Sequence, residues 1–158
     1  MGSSMERTAP KFPVSRIIGI LKKIPIFKGL ADEEYVALID VCHVAQYPAG
    51  EILFEEGGPG HDMYVLLAGA VEITTQKAGP IYTMKPGEIF GEIAVVSHVH
   101  RTATAVVTED SSFLRLSRDE LDLLIGKAPR ASYWIMRNIA QTLAERLMNT
   151  DERLGVHT

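Results

Sequence analysis

The 158-residue chain predicts a mainly β domain with flanking helices. Two observations carry this expectation. The middle of the chain, roughly residues 46 to 117, is built of short alternating apolar and polar runs separated by glycine and proline. The segments on either side instead repeat apolar residues at helical spacing. Short strands about ten residues apart, with turn residues between them, read as an antiparallel barrel or sandwich. We therefore expect a tag and tether at 1–13, N-terminal helices at 14–45, a barrel at 46–117 and C-terminal helices at 118–155.

Composition narrows the function classes. An apolar share of 46% is ordinary for a globular protein. The formal charge of −4 leaves no basic excess to displace counterions from a nucleic acid, so no nucleic-acid partner is expected within this chain. Any anionic ligand must be held by local groups. Cys42 is the single cysteine, which excludes an internal disulfide and fits a cytoplasmic setting. No apolar run approaches the ~20 residues that span a bilayer, and Val14–Phe27 is interrupted by Arg16, Lys22, Lys23 and Pro25, so no membrane contact is expected. Met1-Gly2-Ser3-Ser4 reads as an expression scar before a native start at Met5.

In chain order, Val14–Lys23 predicts a helix with Ile17, Ile18, Leu21 and Ile24 at helical spacing, ended by Pro25. A second helix follows, its first turn carrying Asp32, Glu33 and Glu34, which favour the positive end of the macrodipole. Tyr35, Leu38, Ile39 and Cys42 form its buried face, making Cys42 a core filler. In the β region, Pro48-Ala49-Gly50, Gly57-Gly58-Pro59-Gly60, Ala68-Gly69-Ala70, Gly79-Pro80 and Pro86-Gly87 are the expected turns. The 57–60 loop opens no helix and is expected to be a plain hairpin turn, not a phosphate cradle. Ser117-Arg118-Asp119-Glu120 is a capping box, with Leu116 and Leu121 as its hydrophobic staple, and it starts a helix ending near Gly126. Pro129 opens the last helix. There Met136, Ala140, Leu143, Leu147, Thr150 and Leu154 form a heptad seam, and Ile135 and Ile139 form a second stripe. A helix with two apolar faces wants two partners, its own barrel and a second copy of the chain.

The chemistry concentrates at Ile89–Thr104, IFGEIAVVSHVHRTAT. Backbone N–H groups at the start of a short helical turn seat a phosphate. Arg101 offers a guanidinium fork and Thr102 a hydroxyl. Glu92 repels an anion, but it suits a ligand that also carries sugar hydroxyls. A plainer reading makes Phe90-Gly91-Glu92 a helix start and Arg101 a surface arginine.

Phe90-Gly91-Glu92-Ile93-Ala94, followed by Arg101-Thr102-Ala103-Thr104, resembles the phosphate-binding cassette of cyclic nucleotide-binding domains. Gly50, Gly57 and Gly69 fall where that family makes its tight turns, and the resemblance extends over roughly Leu21 to Gly155. It implies an antiparallel jelly-roll β-barrel (a double-stranded β-helix) with N-terminal helices and a long C-terminal helix. It implies that Glu92 takes the ribose 2′-hydroxyl, Arg101 the cyclic phosphate, and backbone amides around Gly91 and Ala103 the remaining oxygens, with Ile93, Ala94 and Thr102 also among the ligand-binding residues. It also implies that the last helix closes over the base, with Thr150 and Asp151 facing it, and pairs two subunits. For Thr150 and Asp151 the competing reading is a polar seam residue and a solvated charge. The expected ligand is cyclic AMP. Cyclic GMP stays open, because a threonine directly after the arginine accompanies cyclic GMP preference in eukaryotic members.

The resemblance implies an allosteric sensor rather than an enzyme, without a cofactor, and no nucleophile with a base partner argues otherwise. Three other readings are a degenerate member without a nucleotide ligand, a metal-dependent cupin-like enzyme using His98 and His100, and a transcription factor. The second lacks a suitable third histidine and carboxylate. The third needs a helix-turn-helix reader of roughly 60 further residues.

Overall fold

The computed structural model describes residues 12–97 and 100–153, the side chains of 151–153 excepted. Two helices, α1 (Val14–Leu21) and α2 (Asp32–Val41), flank a 3-10 turn at Pro25–Phe27. The strands are β1 (His43–Tyr47), β2 (Ile52–Phe54), β3 (Asp62–Thr75), β4 (Gly79–Met84), β5 (Ile89–Phe90) and β6 (Thr104–Ser117). A 3-10 turn, Glu92–Val95, sits between β5 and β6, and helices α3 (Arg118–Lys127) and α4 (Pro129–Arg153) complete the chain.

Helix α1 stops at Leu21, two residues short of the expected end, and Pro25 opens the 3-10 turn. Its apolar stripe buries Ile17 and Leu21. Helix α2 starts where Ala31 N–H donates to Glu34 Oε1 at 2.8 Å, half of a capping box. Tyr35 and Leu38 are buried as their spacing demands, Ile39 and Cys42 partly so. Burial pushes the Cys42 thiol well above its ordinary range, with Glu120 adding to the shift. The α3 capping box forms in full: Glu120 N–H donates to Ser117 Oγ at 3.1 Å, and Ser117 N–H to Glu120 Oε1 at 2.9 Å.

All strand pairs are antiparallel, and β3 and β6 form the long central pair. On one half of that pair, β1 lies beside β6 and β5 beside β3; on the other half, β2 lies beside β6 and β4 beside β3. The expected turn at Ala68-Gly69-Ala70 is absent. The chain runs straight through it as part of β3, and the runs before and after Asp110 likewise merge into β6. What the glycine supplies is a bulge. Register shifts fall at Ala68 and Ala70, and Gly69 has φ +105°. A Cβ there would lie 2.0 Å from Ser111 Oγ and 2.7 Å from the Asp110 carbonyl. Only glycine fits, and the extra residue bends the strand. The loop at Gly57–Gly60 is not a hairpin turn either, because β2 and β3 both pair with β6 and not with each other.

Alternation along β3 and β6 divides the core in two. Met63, Val65, Leu67, Leu114 and Leu116 point to the helices, where they join Ile17, Leu21, Leu38, Leu124, Ile135 and Ile139. Tyr64, Leu66, Val71, Val107 and Phe113 fill the other side with Tyr47, Met84 and Phe90. There the rings of Tyr64, Phe90 and Phe113 meet stacked or edge-on at centroid distances of 5.3 to 6.2 Å.

Helix α4 follows the two-stripe pattern except at Leu143. Ile135 and Ile139 are buried and Met136, Ala140, Leu147 and Thr150 are exposed, whereas Leu143, expected on the outer seam, packs partly buried against the domain's own core. Leu154 lies outside the described residues. The proximal half is tied down firmly: Asn138 Nδ2 donates to the carbonyls of Ile26 and Lys28, each at 2.9 Å. Trp134 packs on Gly29, where a Cβ would come within 3.3 Å of the indole. No helix among the described residues is long and apolar enough to cross a membrane.

Candidate functional site

A cleft of about 250 Å³ lies between residues of β2, β3 and β5, the segments that flank residues 98–99, and Arg146 of α4. Gly91, Glu92, Ile93, Ala94, Arg101, Thr102 and Ala103 line it, so seven residues singled out by their spacing converge on one cavity. Thr150 does not line it; its hydroxyl donates back to the Arg146 carbonyl at 3.0 Å. Asp151 has its side chain outside the described residues, as has His98, one member of the histidine pair. Among the described residues no group of three or more histidine, cysteine, aspartate or glutamate side chains could hold a metal ion.

Local sequence explains the cassette's shape. Gly91 adopts φ +79°, which turns the chain from β5 into the 3-10 turn. A Cβ there would meet Arg101 Nη1 at 2.6 Å and the Asp62 carbonyl at 2.9 Å. The glycine is thus needed for both its backbone and its bareness. Glu92, the next residue, is only 6% exposed. Its Oε1 forms an ion pair with Arg146 Nη2 at 2.7 Å, which ties the distal part of α4 to the cassette.

Arg101 is half-buried. Nη2 donates to the Asp62 carbonyl at 2.8 Å, and the guanidinium carbon stands 4.1 Å from the Phe54 ring centroid. Among the described residues it forms no ion pair, and its Nε is a buried donor without a hydrogen-bond partner. Burial lowers its pKa, opposed by Tyr64 and Asp62. The group remains a cation at neutral pH. A half-buried positive charge with an unused donor is stabilised by an anion brought into the cleft.

Sequence reasoning missed Phe54, Ile73, Phe90, His100 and Arg146 as cleft residues. Phe54 and Ile73 read as ordinary strand residues. Arg146 belongs to neither apolar stripe of α4, and no local pattern points from it to a carboxylate 54 positions earlier.

The cleft sets a half-buried guanidinium near a buried carboxylate, chemistry that suits a small ligand carrying both an anionic group and hydroxyls. The family model described as cyclic nucleotide-binding domain matches residues 44–127, and the chain belongs to that family. The cyclic AMP receptor protein of Thermus thermophilus is 32% identical over 140 residues, which is 86% of this chain and 63% of the relative. The regulatory subunit of cAMP-dependent protein kinase from Aspergillus fumigatus is 33% identical over 107 residues, 67% of this chain and 26% of that protein. Among solved structures, the N-terminal domain of a transcriptional regulator from Streptomyces coelicolor superimposes with a TM-score of 0.75 at 25% identity, over 82% of this chain and 93% of that one. The chain spans less than two thirds of the length of these curated relatives.

Proposed function

We propose that the domain is a sensor that binds cyclic AMP without turning it over and reports the binding through α4. The observation that carries this reading is Arg101, a half-buried guanidinium that among the described residues forms no ion pair and has an unpartnered Nε. In this reading the cyclic phosphate meets Arg101 and the amides near Gly91 and Ala103, and the ribose 2′-hydroxyl donates to Glu92. Because Glu92 also holds Arg146, sugar and helix share one carboxylate. The ligand shifts the α4 equilibrium to the extent that it binds one helix position more tightly than another. Closure of the last turns brings Thr150 and Asp151 to the base. Thr102, lining the cleft beside Arg101, keeps cyclic GMP as the alternative ligand. We place the sensor in the cytoplasm, in keeping with its single cysteine.

Calorimetric titration of the purified domain with cyclic AMP and cyclic GMP in parallel tests the reading. Micromolar or tighter binding of cyclic AMP, with weaker binding of cyclic GMP, is the expected result. A reversed order transfers the assignment to cyclic GMP. Binding of neither leaves a degenerate member of the family.

The exposed seam of Met136, Ala140 and Leu147 on α4 supports a homodimer through this helix. Light scattering at high concentration should return twice the 17.4 kDa chain mass. A monomer mass there removes the dimer.

A further inference from the structure

The Gly57–Gly60 loop has no place in the cassette as the sequence presents it, yet it grips the cassette's arginine. Gly57 N–H donates to the Arg101 carbonyl at 2.7 Å, and Arg101 N–H donates to the Gly58 carbonyl at 2.8 Å. Pro59 forms an isolated β-bridge with His100. The loop thereby fixes the Arg101 backbone from both sides.

Gly60 governs the side chain. A Cβ on Gly60 would stand 2.7 Å from Arg101 Nε, 3.0 Å from Cζ and 3.1 Å from Cδ. The other boundaries of this slot are the Phe54 ring, the Asp62 carbonyl and Gly91. Gly57 and Gly91 have left-handed φ values of +83° and +79°, but Gly60 is not among the positive-φ glycines. Alanine therefore fits the Gly60 backbone, and the three atoms nearest its methyl group all belong to the middle of one long, flexible side chain. The fold can absorb such a substitution by moving the arginine.

We propose that Gly60 is a positioning residue for ligand binding: its bare backbone keeps open the slot in which the Arg101 guanidinium lies at the cleft. The proposal rests on the reading that the cleft takes a cyclic nucleotide. Gly60 acts through Arg101 and touches no ligand atom itself. A displaced guanidinium loses alignment with the phosphate, and misplacement on the order of 1 Å is enough to matter.

The test is a mutant cycle in the full 158-residue chain, with Gly60→Ala, Arg101→Ala and the double variant titrated with cyclic AMP and cyclic GMP. Gly60→Ala is expected to weaken binding by about tenfold in the wild-type background and to change it less than about twofold once Arg101 is alanine, the non-additivity of two residues acting as one. Melting temperature and circular dichroism should stay near wild type. The Nε–H resonance of Arg101 in ligand-free, nitrogen-labelled protein should shift in Gly60→Ala.

Wild-type affinity with an unmoved resonance overturns the proposal. So does an equal loss in both backgrounds, which would make the loop's contribution independent of the arginine. If the wild-type chain binds neither nucleotide, the functional reading fails. The Nε–H resonance then still decides whether Gly60 positions Arg101.

Discussion

Replacing Arg101 with alanine is expected to weaken cyclic nucleotide binding by about a hundredfold or more, with little change in melting temperature. A charge-assisted, two-pronged contact to an anionic oxygen pair is worth about 3 kcal/mol, which corresponds to a factor near 150. The stability side is small for a structural reason. Among the described residues the side chain makes one hydrogen bond, to the Asp62 carbonyl, and stacks on Phe54. Losing these is offset by removing a cation that burial already disfavours. Arg101→Lys should fall between the two, because it keeps the charge and loses the fork. Titration calorimetry reads the affinities and a thermal melt reads the fold. A folded Arg101→Ala variant with unchanged affinity would show that the phosphate is held elsewhere.

The second large effect concerns the sugar. Wild-type protein should prefer cyclic AMP over its 2′-deoxy analogue by about tenfold to a hundredfold, the value of one hydrogen bond to a charged acceptor. Glu92→Ala should bind cyclic AMP more weakly by a similar factor and no longer distinguish the two ligands. Arg146→Ala supplies the control, because it releases α4 from Glu92 but keeps the carboxylate, so discrimination should persist. If Glu92→Ala and wild type discriminate equally, the ribose lies elsewhere and Glu92 serves only the helix.

The convergence of Gly91, Glu92 and Arg101 on one cleft was legible in the sequence because they lie within one short segment. Gly91 and Glu92 open a turn, Arg101 follows at the required distance, and all of them line the cleft. The fold class was legible for a related reason: strand alternation and helix periodicity are local. What stayed hidden depends on residues far apart in sequence. The obstacle that makes Gly69 a bulge is Ser111, visible only once β3 and β6 are paired. The Gly57–Gly60 loop read as a hairpin turn because nothing in its own residues reveals that both flanking strands pair with β6. Arg146 reaches Glu92 across the chain, and a charge between two apolar stripes of a helix carries no such message. Thr150 shows the opposite limit: the resemblance implies a place at the base, while its hydroxyl donates back to the Arg146 carbonyl.

The division of α4 into two unlike halves has a consequence for its own length. Up to Asn138 and Ile139 the helix is anchored, and from Ala144 to Thr150 every residue is exposed. The anchored half has already met the cost of nucleation. Each further turn is therefore added at nearly no net free energy, since the propagation constant is close to one. Whether the last turns are wound or frayed is then decided by very little: one ion pair at Arg146, a ligand in the cleft or a neighbouring helix. A signal read as winding and unwinding of a short terminus needs no rearrangement of the β-sheet.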